Sequence, residues 1–426
     1  MKELESERPK RKRILVIGGG FAGLEFIKGL NRTSIEIVLV DRNNFHTFQP
    51  LLYQVASGSL SPDSIGFPFR KRIAKMPNVR FLKAEVNRVN PNENQVVTDI
   101  GKVDYDYLVL AQGSKTNFFG NKSLAQRAMQ LKTIPHALDI RSEFLQEFEK
   151  AARLISTQEK SHALNFVVVG GGPTGVEVSG ALAEIKRHIL SRDYPEINPE
   201  LMQIYLIQAD PQLLTGFSEK SSAKAKAYLE SMGVKVFLNT PVKTYEGKEL
   251  GFGDGESIQT ETVIWSAGVS GNQIEGFKEE AWERGRFLVD AYHESIEYKG
   301  VFALGDIALM KTKENPKGHP MVAPPAIQQA ENLVYNFKHP NKKREFRYKD
   351  KGSMATIGRK KAVVDMGRIH VSGSLAWWIW MVVHLLSLIG FRNKLAVVFN
   401  WALKYFSWKN TIRLIIRPYQ RANGRD

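Results

Sequence analysis

The sequence predicts an α/β protein that uses one structural plan twice, and three observations carry that prediction. An apolar run, Ile14-Leu15-Val16-Ile17, leads straight into Gly18-Gly19-Gly20-Phe21-Ala22-Gly23 and then a helically periodic stretch to Leu30. The same order returns at Phe166-Val167-Val168-Val169, followed by Gly170-Gly171-Gly172-Pro173-Thr174-Gly175. Each half also holds a later apolar strand that ends in a glycine, Tyr107 to Gly113 and Val263 to Gly268. Continuous β-branched runs of this kind suit strands covered on both faces, as in a parallel sheet.

The glycines explain the first turn. Gly18, Gly20 and Gly23 stand at G-x-G-x-x-G spacing. The first permits the tight turn, the second lets a pyrophosphate approach the backbone, and the third lets helix and strand pack closely. Phosphates then sit at a helix N-terminus, where unpaired N–H groups and the helix dipole favour negative charge. The next strand, Ile35 to Val40, ends in Asp41, a carboxylate able to accept from a ribose diol. Gly18, Gly20, Phe21, Ala22, Gly23 and Asp41 therefore form one expected dinucleotide site. Gly170, Gly172, Pro173, Thr174 and Gly175 form a second. Its ribose position, after Ile204-Tyr205-Leu206-Ile207, is Gln208, with Asp210 two residues on. The fold expected is two Rossmann-like dinucleotide-binding domains.

Between the motifs, Arg42 to Tyr53 mixes turn formers with aromatics and is expected to pack against a flat ligand, with Arg42, Gln49 and Leu51 in contact. His46, alone among aromatics, reads as a packed hydrogen-bonding residue rather than a base. Short strands are expected at Val79–Leu82 and Val96–Thr98. Ala111 and Gly113, like Ala267 and Gly268, end strands that bring backbone to a dinucleotide. A helix is expected over Pro135–Ser156, a linker at Ser156–Lys160, and a helix after Gly175 that extends to about Glu200. Gly305-Asp306 follows another strand, and its acid can bind a sugar hydroxyl or simply cap a turn.

Composition narrows the chemistry. The chain is 43% hydrophobic and 24% charged, as folded proteins are. It has no cysteine, which excludes zinc–cysteine and iron–sulfur sites, disulfides and any thiol relay. A net charge of +16 asks for an acidic surface as partner: nucleic acid, anionic lipid or an acidic protein. Met1–Arg13 is polar and basic without an apolar core, so residues 1–12 are expected to be a solvated, disordered tail rather than a secretory signal. Leu375 to Ile389 carries no charged residue, and with Gly390 and Phe391 it meets the lower edge of the roughly 17–25 residues of a spanning helix. Beyond it stand Arg392, Lys394, Lys404, Lys409, Arg413, Arg417, Arg421 and Arg425 against Asp426 alone, a pattern that disfavours translocation. Leu395, Val398, Phe399, Ala402 and Phe406 share one helical stripe beside Trp401 and Tyr405, and Trp408 follows. Such a segment suits a helix lying in the interface of an anionic membrane, and a helix buried in protein is the alternative. Much of the basic surplus is then accounted for without nucleic acid.

Taken together, these motifs resemble the two-dinucleotide-binding flavoproteins, and most closely the type II NADH:quinone dehydrogenases. The matching stretches are Asp41–Leu60, Gly170–Glu177, Gly305-Asp306, Ala323–Gln329, Phe346–Gly358 and the aromatic tail. The resemblance implies FAD, bound non-covalently, at the first motif with Arg42, Gln49, Leu51, Ala111, Gly113, Gly305 and Asp306. It implies NADH at the second motif with Glu177, Gln208, Ala267 and Gly268, and a C-terminal amphipathic membrane-anchoring region. It further implies quinone at Pro324, Ile327 and Gln328, with Glu177, Gln328 and Lys351 as catalytic residues and no metal. In the family, Glu177 lies beside nicotinamide and flavin. Quinone reduction consumes two protons, so a carboxylate with a burial-raised pKa is chemically sensible there, while a helix-end carboxylate is the plainer reading. The family's quinone motif is Ala-Gln-x-Ala-x-Gln; here Pro324 replaces the first Gln and Gln328 matches the second. Lys351 is one of many lysines.

The expected domains are FAD-binding at 13–160 and 291–368, NADH-binding at 161–290, and anchoring helices at 369–426. The function expected is hydride transfer from NADH to FAD and two-electron reduction of membrane quinone, without proton pumping. The protein is expected on the cytoplasmic face of a bacterial inner membrane, with a homodimer possible. A soluble NAD(P)H-dependent reductase of a carrier protein and a nucleotide-sensing flavoprotein are the rival readings. Gln208 in place of an acid predicts NADH as donor with weakened discrimination against NADPH.

Overall fold

The computed structural model describes residues 11–406, 413–415 and 419. The expected tail at 1–10 lies outside the described residues, as do Trp408, Lys409, Arg417, Arg421, Arg425 and Asp426 and the side chains of Lys404, Tyr405 and Phe406. The chain forms two compact units. One takes the chain up to His46, Phe67–Lys115 and Val269–Asp350; the other takes Thr47–Gly66, Thr116–Gly268 and the chain from Lys351 onward.

The first unit is built on a five-stranded parallel sheet in the order Val301–Ala303, Tyr107–Leu110, Arg13–Ile17, Glu36–Asp41, Val79–Lys83. Ile14, Leu15 and Val16 in the central strand are fully buried, which is why that strand reads as an unbroken apolar run. The strand stops at Gly18, whose φ of +98° lies in the left-handed region and whose Cβ would stand 2.5 Å from the Ala111 carbonyl oxygen. The helix Phe21–Gly29 follows and packs against the helix Ala323–Lys338. An antiparallel meander of Val86–Asn90, Gln95–Thr98 and Gly101–Asp104 fills the span before the fourth sheet strand in sequence.

The second unit repeats the plan. Its parallel sheet runs Met129–Gln130, Thr262–Trp265, Asn165–Val169, Gln203–Ile207, Val234–Phe237. Gly170 has φ +105° and would place a Cβ 2.5 Å from the Ala267 backbone. The helix Pro173–Ile185 continues through a π turn at Lys186–Leu190 and a last turn at Ser191–Asp193. It ends there rather than near Glu200, because Pro195 holds Tyr194 out of helical geometry. Ser156–Lys160 is not a linker. Ser156 Oγ accepts from Glu159 N and starts the helix Thr157–Ala163, a cap the S-x-x-E spacing encodes. The helix expected over 135–156 spans Ile134–Arg153. The C-terminal part adds an antiparallel sheet of Ser353–Thr356, Ala362–Met366 and Ile369–Ser372, then the helices Ser374–Ser387 and Phe391–Phe406. Among the described residues, no helix is long and apolar enough to cross a membrane.

Apart from Thr47–Gly66, which the second unit takes from within the first, the units part at 115/116, 268/269 and 350/351, whereas the sequence places boundaries at 160/161, 290/291 and 368/369. Local packing explains each difference. Met129–Gln130 pairs with Thr262–Trp265, and Ile134–Arg153 packs on Leu52–Ala56, which binds 116–160 into the second unit. Arg286–Val289 pairs with Ala308–Met310 in the first unit. Gly180 lies against Ile357 and Gly358, which holds the 353–372 sheet on the second glycine helix.

In both turns the third glycine has no room for a side chain. A Cβ on Gly23 would stand 2.0 Å from the Gly18 carbonyl oxygen, and one on Gly175 would stand 1.9 Å from that of Gly170. Gly23→Val and Gly175→Val are therefore expected to cost at least the ~1–3 kcal/mol of ordinary overpacking, read as a lower thermal midpoint. An unchanged midpoint in either variant contradicts the packing described.

Candidate active site

The first glycine turn leaves its amides open. Gly20 caps the helix Phe21–Gly29 with no side-chain hydrogen bond and no acid in the first turn, and a Cβ there would find nothing nearer than Ala111 O at 3.9 Å. Donors without internal partners await an anion. Asp41 organises the turn: Oδ2 accepts from Gly19 N at 2.8 Å and Oδ1 from Asn43 N at 2.8 Å. Burial raises its pKa despite those two bonds. Phe21 meets His46 edge-on at 5.1 Å, and His46 Nδ1 pairs with the Gly19 carbonyl at 3.0 Å. Nδ1 thus carries the proton, burial keeps the ring neutral, and Nε2 is left as a buried acceptor with no protein partner. His46 is the packed residue expected.

Asp306 sits in the short turn Gly305–Ile307 and accepts from Ser114 Oγ at 2.5 Å. Gly305 N donates to Gln329 Oε1 at 2.7 Å, and the glycine faces Ala22 and Ala326. Ala111 and Gly113 follow the neighbouring strand end, and a Cβ on Gly113 would meet nothing within 4 Å. Gly18, Gly20, Phe21, Ala22, Gly23, Asp41, Ala111, Gly113, Gly305 and Asp306 all belong to the first unit, as does exposed Arg42. Gln49 and Leu51 fall in the second unit, Gln49 exposed and Leu51 fully buried. An open glycine turn, an acid at each strand end and an orphaned ring nitrogen fit an adenine dinucleotide.

The second turn matches the first. Gly172 caps Pro173–Ile185 without a side chain, a Cβ on it would meet nothing within 4 Å, and Pro173 and Thr174 are exposed. Ser266 Oγ donates to the carbonyls of Val169 and Gly170, tying Ala267 to the turn, and Gly268 lies against Phe119. Gln208 Oε1 accepts from Gly171 N at 2.7 Å, the relation Asp41 has to Gly19.

Pro324 occupies the first turn of the helix Ala323–Lys338, where a missing N–H costs nothing, so the exchange of Gln for Pro leaves the helix whole. Ile327 and Gln328 are half-buried on it. Gln328 pairs with the Lys349 backbone, its Oε1 accepting from N at 3.0 Å and its Nε2 donating to O at 2.9 Å. It fastens the extended segment beside it. Lys351 is exposed in the second unit.

Glu177 lies in the first turns of the second glycine helix, buried. Thr356 N donates weakly to its Oε1 at 3.5 Å. The Trp380 indole N–H is near enough to lower the carboxyl's proton affinity yet closes no hydrogen bond of normal geometry. Burial dominates and pushes the Glu177 pKa well above the ordinary carboxylate range, which favours the protonated form. A pocket adjoins it, lined by Tyr53, Gln54, Glu184, Thr356, Trp380 and Trp401 among others. Its polar side chains form a directed chain. Trp401 Nε1 donates to Gln54 Oε1 at 2.8 Å, and Gln54 Nε2 donates to the Tyr53 hydroxyl at 2.7 Å. An indole N–H only donates, so the amide orientation is fixed and the Tyr53 proton must point onward. Burial raises the Tyr53 pKa and keeps the phenol protonated. Sequence reasoning missed this pocket. Two signals were present: the seven-residue spacing of Glu177 and Glu184, which shares a helix face, and Gln54 inside the apolar run from Leu51 to Ala56.

Two open glycine turns on two parallel sheets define an oxidoreductase of the two-dinucleotide class, and residues 12–330 match the pyridine nucleotide-disulphide oxidoreductase family model. Residues 351–411 match the NDH2 C-terminal domain. The chain belongs to the type II NADH:quinone oxidoreductases. It is 34% identical over 424 residues to type II NADH:quinone oxidoreductase Ndh of Mycobacterium tuberculosis, covering 95% of this chain and 90% of that protein. It is 35% identical over 416 residues to NdhA of the same organism, covering 93% and 87%. Its fold is similar to that of NDH2 from Plasmodium falciparum in complex with NADH, with TM-score 0.89 and 21% identity over 95% of this chain and 100% of that one. The sulfide:quinone oxidoreductase of Aquifex aeolicus has TM-score 0.71 and 19% identity over 96% and 93%.

The raised Glu177 pKa has a stability signature. The folded state binds this proton more tightly than the unfolded chain, so the contribution is full below the ordinary carboxyl range and is lost as pH rises through the raised value. Thermal midpoints of wild type are expected to fall, relative to Glu177→Gln, from mildly acidic to alkaline pH. Parallel curves for the two proteins contradict a buried, protonated Glu177.

Proposed function

We propose that this FAD-dependent NADH:quinone oxidoreductase works while lying on an anionic lipid surface, the cytoplasmic face of a bacterial inner membrane, and that Glu177 holds a proton for quinone reduction. FAD, when bound, would supply the two-electron chemistry that links NADH to quinone. The residues do the rest. The amides at Gly20 and Gly172 receive the two pyrophosphates, Asp41 and Asp306 meet sugar hydroxyls of the flavin dinucleotide, and the second turn seats NADH. Glu177 keeps a proton in a site shielded from water by Trp380. With no cysteine in the chain, no thiol relay stands between flavin and acceptor.

One observation carries the membrane reading. The two C-terminal helices bury Ala376, Trp380, Val397 and Trp401, while Leu375, Trp378, Leu386, Phe391, Leu395 and Phe399 are exposed. Exposed apolar side chains so concentrated mark an interaction surface rather than ordinary solvent-facing helix. Flanking Arg392 and Lys394 suit acidic headgroups. The pocket beside Glu177 takes part of its wall from these same helices, a fitting approach for a long-tailed quinone.

Liposome flotation tests this reading together with NADH oxidation by long- and short-tailed quinones. Fully burying one large apolar side chain is worth about 1.5–3 kcal/mol. Leu386→Lys combined with Phe399→Lys is therefore expected to weaken binding to anionic liposomes on the order of a hundredfold, and to reduce turnover far more with long-tailed than short-tailed quinones. Unchanged flotation and an unchanged ratio between the quinones favour a soluble reductase of a carrier protein instead.

A further inference from the structure

Gln208 stands where the second dinucleotide fold is expected to present an acid to the adenine ribose, and the structure gives its side chain a different task. Gly171 N donates to Gln208 Oε1 at 2.7 Å, as Gly19 N donates to Asp41 Oδ2 at 2.8 Å in the first turn. The amide oxygen holds the glycine loop as the carboxylate does, but it brings no charge. The other end of the amide is also committed: Nε2 donates to Asp210 Oδ2 at 2.8 Å. Thr215 Oγ1 donates to that same oxygen at 2.9 Å. The Asp210 backbone carbonyl accepts from Asn239 N at 3.1 Å, which fixes the segment that carries it.

The consequence is a division of labour. In the first turn one carboxylate holds the loop and carries the charge as well. In the second, buried Gln208 holds the loop and exposed Asp210 carries the charge, gripped through one oxygen by two donors. Its Oδ1 makes no hydrogen bond among the described residues. No lysine or arginine lies between Gln208 and Phe217 to neutralise it. We propose that Asp210, oriented by Gln208 and Thr215, is the residue that distinguishes NADH from NADPH. Its free oxygen accepts from the ribose diol, and its charge repels a 2′-phosphate in the same place. Gln208 and Thr215 are positioning residues. This inference rests on the reading of the second glycine turn as the NADH seat.

Asp210→Asn tests it, because the substitution keeps the shape and the acceptor for Gln208 and Thr215 while removing the charge. Removing one exposed like charge beside the 2′-phosphate is expected to raise kcat/KM for NADPH relative to NADH roughly five- to tenfold. Added salt is expected to favour NADPH in wild type and to have less effect in the variant. Calorimetric titration with adenosine 2′,5′-bisphosphate and with ADP reads the adenine end apart from turnover, and tighter binding of the bisphosphate to the variant is expected. Thr215→Val, which frees the carboxylate without removing it, is expected to move the ratio in the same direction by less. If Asp210→Asn oxidises NADH but leaves both the coenzyme ratio and the bisphosphate affinity unchanged, the proposal is overturned and the NADH seat stands. If wild type binds neither ADP nor NADH, the seat itself has been misplaced, and the proposal falls with it.

Discussion

Both halves of the chain hang on one contact, a carbonyl oxygen packed onto the α-carbon of a glycine across a strand-to-helix turn. Gly18 meets Gly23 in this way and Gly170 meets Gly175, with no space for a methyl group at either. The contact draws the helix down onto the end of its strand, so that the first helical amides face outward at the sheet's edge. Neither helix caps itself with a side chain. The open donors are a cost of the folded protein that a bound pyrophosphate removes. Every other site residue is placed relative to these turns. Asp41 and Gln208 bond the amides of Gly19 and Gly171 from the neighbouring strand, and Ala111 and Ala267 lie where the first glycine presses on the backbone.

How much of this was legible follows from how local each feature is. The parallel sheets could be read because strands buried on both faces are unbroken apolar runs, and the turns because glycine spacing answers to backbone geometry a few residues away. The acid at Asp41 follows from the length of one strand–helix–strand unit. Gln328 is different. Its amide is taken up by Lys349, a pairing set by where the chain returns after the helix. The pocket is different again: Gln54 and Trp401 are far apart in sequence, and their hydrogen bond exists only because the C-terminal helices pack on Leu52–Ala56 within one unit. The unit boundaries were hidden for the same reason, since 116–160 joins a sheet whose other strands come later in the chain.

Charge is used sparingly at the functional centre although the chain as a whole is strongly basic. Burial favours the neutral forms of Glu177 and His46, and Tyr53 keeps its proton. Such a site can hold a proton ready while binding uncharged rings, since no buried ion has to be desolvated again when a ligand enters. Formal charge stands elsewhere, at strand-end carboxylates such as Asp41 and Asp306 and on the basic residues beside the apolar C-terminal helices.

The central claim is that electrons pass from NADH through a bound flavin to quinone with no thiol between. Anaerobic stopped-flow absorbance tests it most directly: the purified yellow protein is mixed with NADH, and the reduced protein is then mixed with quinone. The account predicts that NADH bleaches the flavin band and that quinone restores it at least as fast as the enzyme turns over. A flavin that NADH reduces but quinone leaves reduced on the turnover timescale would contradict it.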